Sequence, residues 1–114
     1  MYSKRNQNKK FYAQHGDVLL FRIDSVPEKA VQVQPGRRGH ILAKGETTGH
    51  AHIIKDTTTS RMYCNNDERY LDVEKATDIE HEEHKSIVLH PGVYEIDRVV
   101  EVDHLEEEIR RVQD

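Results

Sequence analysis

The sequence predicts a mainly β protein, a small antiparallel β-barrel or sandwich closed by a short C-terminal helix. Three observations predict it. Turn-forming residues recur at short intervals, and the segments between them alternate or run apolar over strand-like lengths. Helical spacing occurs only near the C-terminus. Seven or eight short strands spaced this way suit a barrel or a sandwich, and 114 residues make one domain.

Residues 1–14 hold Lys4, Arg5, Lys9 and Lys10 and no acid, with no apolar period before Phe11. They read as a basic, flexible arm carrying +4, ahead of a single β-rich domain at 15–114. That domain carries −8, with 13 Lys and Arg against 21 Asp and Glu, an unsuitable balance for gripping a nucleic-acid duplex. Asp17 to Ile23 is almost unbroken in apolar residues, as in a strand buried on both faces. Val31 to Gln34 alternates and stops at Pro35 and Gly36; Gly39 to Ala43 is a short strand; His50 to Ile54 alternates again. Arg61 to Cys64 and Arg69 to Val73 flank Asn65, Asn66 and Asp67, a hairpin-type loop. Ile87 to Leu89 runs into the turn His90-Pro91-Gly92, and Val93 to Val102 is the longest alternating stretch. Asp103 and Glu106 then fit a capping box, with Leu105, Ile109 and Val112 on one helical face.

The compositional anomaly is eight histidines. His50 and His52 lie two apart in a strand, so both rings share a face with backbones about 7 Å apart. His81 and His84 enclose Glu82 and Glu83, and the flanking Ile79 and Ile87 predict a hairpin turning at the two glutamates. Two imidazole pairs from separate strands can build a transition-metal site for Zn, Fe, Ni, Cu or Mn, so His50, His52, His81 and His84 are the candidate ligands. His90 is the substitute if one points away. Glu46, Glu80, Glu82 and Glu83 are candidate ligands or ring-orienting partners, and Glu82 or Glu83 the candidate general base. The H-E-x-x-H metalloprotease spacing is not met, because only two residues separate His81 and His84. The alternatives are a solvated His/Glu strand edge and a proton-responsive cluster. His15, His40 and His104 read as a turn cap, a strand start and a surface position, and Cys64 as a lone thiol.

Gly45 to His52 reads G-E-T-T-G-H-A-H and resembles the first cupin motif, with Asp56 as the acid that follows H-x-H. That resemblance implies a cupin-like barrel. Over most of the chain after the arm, the sequence is similar to a small uncharacterised group of bacterial and phage-type proteins. The shared elements are G-D-V-L from Gly16, G-E-x-T-G-H-A-H from Gly45 and H-E-E-H from His81, then P-G-x-Y from Pro91 and I-R-R-V from Ile109. This resemblance implies that the two histidine motifs belong together.

The leading expectation is a small metal-binding β-barrel, either a closed-site carrier or a metal-dependent hydrolase or oxygenase with an open coordination position. The alternative is a non-enzymatic phage or mobile-element accessory module whose arm binds RNA or a protein partner. A homodimer is compatible with either. No apolar run is long enough to span a membrane. No signal-peptide pattern opens the chain and one cysteine cannot form an internal disulfide, so a reducing, cytoplasmic setting is expected. No P-loop, dinucleotide fingerprint or nucleophile elbow competes.

Overall fold

The computed structural model of the chain describes residues 8–44 and 49–99. Its strands are β1 (Lys10–His15), β2 (Val18–Ile23), β3 (Val31–Val33), β4 (His40–Lys44) and β5 (Ala51–Ile54). They continue with β6 (Ser60–Asn65), β7 (Glu68–Val73), β8 (Thr77–Ile79), β9 (Ile87–Leu89) and β10 (Gly92–Arg98). Six of them form one antiparallel sheet in the order β1-β2-β10-β7-β6-β3, and β4-β5 and β8-β9 form two separate ribbons.

Alternation decides which face of the large sheet is core. Val18 and Leu20 of β2, Leu71 and Val73 of β7, Tyr94 and Ile96 of β10 and Met62 of β6 all enter one buried cluster. The ribbons cover that face, contributing Leu42 and Ala43 from β4, Ile54 from β5, Ile79 from β8 and Leu89 from β9. On β2, Val18 and Leu20 are fully buried on one face, while Leu19 and Phe21 on the other are half-covered, not sealed as its apolar run predicts. The β6-β7 hairpin turns at Asn66, whose φ of 58° is a conformation asparagine tolerates better than most side chains.

The expected barrel needs correction. The sheet does not close into a barrel: β1 and β3 are its two edges, and the apolar face is capped by ribbons. β3 is only three residues long and exposed throughout, with Val31 69% accessible, so its alternation buries neither face. Within the stretch read as the arm, Phe11, Ala13 and Gln14 of β1 pair with Phe21, Leu20 and Leu19. The β8-β9 connection is wider than a two-residue turn at the glutamates. Ile79 pairs with Ile87, so residues 80–86 form a loop that carries His81 to His84. β10 ends at Arg98, and the C-terminal helix expected over 103–112 lies outside the described residues.

Lys9 reaches across β2, 2.8 Å from Glu95 and 3.0 Å from Asp97, with its ammonium 4.5 Å from the centre of the Phe21 ring. Burial pushes the Glu95 carboxyl up, and Lys9 opposes that shift. Lys9→Ala should lower stability by about 1–3 kcal/mol, the range for a charged hydrogen bond lost from a buried partner. Urea denaturation checks this; an unchanged midpoint would mean that the arm, Lys9 included, is dispensable for folding. Leu71→Ala in the core should cost about 2–5 kcal/mol, whereas Val31→Ala on the open edge should stay within about 0.5 kcal/mol.

Candidate metal centre

Two backbone hydrogen bonds join the ribbons. Ile53 N–H donates to Glu80 C=O at 2.9 Å, and Glu80 N–H donates to Ile53 C=O at 2.8 Å. In an antiparallel pair the residue numbers run in opposite directions, so His52 comes opposite His81, Ala51 opposite Glu82 and His50 opposite Glu83. The side chains follow that register. Ala51 N–H donates to Glu82 Oε1 at 3.3 Å, and His50 Nδ1 lies 3.4 Å from Glu83 Oε2.

The two motifs therefore lie against each other. The His81 ring centre is 4.4 Å from that of His52, 4.6 Å from His84 and 5.7 Å from His50. Two groups have ligand atoms all within 4.8 Å of one another: His52, His81 and His84, and His50, His81 and Glu82. His81 belongs to both. A small cavity is lined by His50, His52, His81 and His84 together with Asp17, Glu83, Lys44 and Arg98.

The two glutamates divide. Glu82 is committed on both oxygens, Oε1 to Ala51 N–H and Oε2 to Arg38 at 3.1 Å, and it braces the loop. Glu83 lines the cavity and its side chain is 63% exposed. Glu80 pairs with Lys55 at 3.3 Å. Glu46 lies outside the described residues.

A fifth ring completes the nest. His15 ends β1 opposite the fully buried Val18, and its ring centre is 4.9 Å from His52 and 5.8 Å from His84. The Nδ1 atoms of His15 and His52 are 2.9 Å apart, and His15 Nε2 lies 2.7 Å from Lys85 C=O. His52 Nε2 lies 3.2 Å from Asp17 Oδ1. Read as a turn cap from sequence, His15 is a buried member of the cluster. The signal was its register against the buried Val18, which a local reading does not contain. Gly16 makes the approach possible: at φ +62°, a Cβ there would lie 2.8 Å from both His52 Cε1 and His84 Nε2.

The remaining histidines stand apart. His40 is buried with Nε2 3.0 Å from Ser60 C=O. His90, the expected substitute ligand, is exposed in the β9-β10 turn, where its backbone N–H donates to the Tyr12 hydroxyl at 3.2 Å. His104 lies outside the described residues.

Burial, with the neighbouring His81 and His15, pushes the His52 ring down to about 4, against the weaker upward pull of Asp17. Burial also pushes His15 down. Burial would raise Asp17, but the hydrogen bond from Arg98 at 2.9 Å and its charge more than offset this and hold the carboxyl below its ordinary value. At neutral pH His15 and His52 are thus held as uncharged imidazoles, beside the ionised Asp17 carboxylate.

A family model matches residues 14–99, from the end of β1 to just past β10; it describes a domain of unknown function, DUF8820. No curated protein and no solved structure matches the chain.

Gly16→Ala should destabilise the fold by about 1–3 kcal/mol through backbone strain alone and should shift the NMR signals of His52 and His84, which its methyl would touch. Metal-free protein should lose stability as pH falls from about 6.5 towards 4, because the unfolded chain takes up a proton that folded His52 refuses. Thermal denaturation between pH 4 and 8 measures that slope. A flat profile would mean that His52 is not held neutral.

Proposed function

We propose that this chain, which belongs to the DUF8820 family of unknown function, is a metal-binding protein whose ion is held by His52, His81 and His84, with His50 beside them. The observation that carries this reading is the convergence of three imidazoles from β5 and the β8-β9 loop, with ligand atoms all within 4.8 Å. Metal–imidazole bonds of about 2.0–2.1 Å allow two ligand atoms at most about 4.2 Å between them. Three ligands in tetrahedral positions stand about 3.4 Å apart, so a trio within 4.8 Å closes on one ion by side-chain rotations of up to about an ångström. A neutral imidazole set suits Zn, Fe, Ni, Cu or Mn in the order of their affinity for nitrogen.

Three protein ligands leave a coordination position open to the cavity. An ion there would supply a water of pKa near ~7 for hydrolysis, or an oxygen-binding position if it were iron. Glu83 is then the better general base of the two glutamates, since Glu82 is held by Arg38 and Ala51. If His50 ligates as well, the site closes at four imidazoles and the protein is a carrier or uses the ion structurally. The accessory-module alternative depends on the basic arm, of which Lys9 is engaged on the sheet and residues 1–7 lie outside the described residues.

Untagged protein should carry about one equivalent of a transition metal by elemental analysis, removable by chelator. His52→Ala and His84→Ala should each remove most of it, and the double variant little more, because the loss is already near total. Affinity should fall below about pH 6, where imidazoles compete with protons. Wild-type protein without metal above background at neutral pH would overturn the proposal.

A further inference from the structure

The core and both ribbons lie on one face of the six-stranded sheet. Register assigns the residues of the other face. Phe11 pairs with Phe21, Phe21 with Glu95, Glu95 with Tyr70, Tyr70 with Tyr63, and Tyr63 with Gln32, one row crossing all six strands. Paired residues lie on the same face. Their strand neighbours Leu20, Leu71 and Met62 enter the core, so by alternation this row points away from it. It holds both phenylalanines of the chain and two of its five tyrosines.

Two features of this outer face require something lying over it. Tyr70 is fully buried, although the ribbons cover the opposite face, where Leu71 points. Glu95 beside it is 5% exposed, and its Oε1 has no hydrogen-bond partner among the described residues. A carboxylate oxygen shut away from water without a donor is costly.

Charge and chain position identify the occupant. By alternation the outer face carries Glu68, Asp72, Glu95 and Asp97 against Arg61 and Lys9. Arg61 is turned to Glu74, 3.3 Å away. Lys9 already crosses β2 on this face to reach Glu95 and Asp97, and Asn8 before it donates to Asp24 at 2.5 Å. The seven residues ahead of Asn8 hold Lys4 and Arg5 and no acid. Extended at about 3.3 Å per residue they span about 23 Å, and the four strand spacings from β1 to β6 need about 19 Å. The segment at the other end of the chain, 100–114, has six acids against Arg110 and Arg111 and would be repelled.

We infer that residues 1–7 dock on the outer face of the sheet, across Glu95, Tyr70 and Tyr63, with Lys4 and Arg5 supplying cations to its carboxylates. The inference is independent of the metal-binding reading. An arm held in this way has its cations engaged in cis instead of offered to RNA.

The test uses the full chain with a nitroxide on Ser3→Cys, and Cys64→Ser so that one thiol reacts. Loss of backbone amide NMR intensity reads which residues the label approaches. Tyr63, Tyr70 and Glu95 should lose most of their intensity, while Ile54 and Ile79, in the ribbons on the far side of the sheet, keep most of theirs. Adding Lys4→Glu and Arg5→Glu should restore the lost intensity. If that charge-reversed chain fails to fold, the pattern in the otherwise native sequence still decides. Labelled chain mixed with unlabelled 15N chain should cause no loss, because each arm covers its own sheet. Equal loss on sheet and ribbons, or loss that survives charge reversal in a folded chain, overturns the inference. Loss in the mixed sample also overturns it and assigns the face to a second copy. Loss from a label on Gln113→Cys but not from Ser3→Cys overturns it in favour of the C-terminal segment.

Discussion

The pair of backbone hydrogen bonds between Ile53 and Glu80 is the constraint on which the site depends. β4-β5 and β8-β9 belong to no common sheet, and each could lie over the core at more than one offset. The Ile53–Glu80 bridge selects one. It sets His52 against His81 and His50 against Glu83, and because Ile54 and Ile79 next to it are fully buried, the offset is secured by apolar packing. A slip of one residue would turn those isoleucines out of the core and carry the histidines to the other face. Site and core are held by the same register.

Crowding is the second physical theme. Five imidazoles within a few ångströms cannot all be charged, and burial of His15 and His52 removes the solvent that would tolerate even one or two charges. The fold fixes both rings by contact: His15 Nε2 against Lys85 C=O, and the Nδ1 atoms of His15 and His52 against each other. Gly16 contributes by absence, since any side chain there would push His52 and His84 apart.

Much of this was legible in the sequence, and the failures share one cause. The Ile79 and Ile87 hairpin partners and the Asn66 turn are local patterns, and both are present; the H-x-H strand is present only from Ala51, with His50 just before it. What local pattern lacks is the identity of remote neighbours. Whether β1 and β3 pair with each other decides barrel against open sheet, and they do not pair. His15 reads as a turn residue until its register against Val18 places it on the core face. Asp17 reads as the start of the Asp17 to Ile23 strand until Arg98, 81 positions away, fixes it beside His52. The H-E-E-H spacing located the second motif but not its shape, because two residues suffice for a tight turn while the β8-β9 pairing begins only at Ile79 and Ile87.

The most direct measurement is a Zn(II) titration followed on all histidine side-chain nitrogens by 15N NMR. The molecule supplies its own controls, since His40 is buried against Ser60 and His90 is exposed in a turn. If the ion sits where the two motifs meet, the nitrogens of His52, His81 and His84 shift together and saturate near one equivalent, while those of His40 and His90 stay in place. Uniform shifts that track exposure, with His90 moving and His52 silent, would contradict a metal centre built by that convergence.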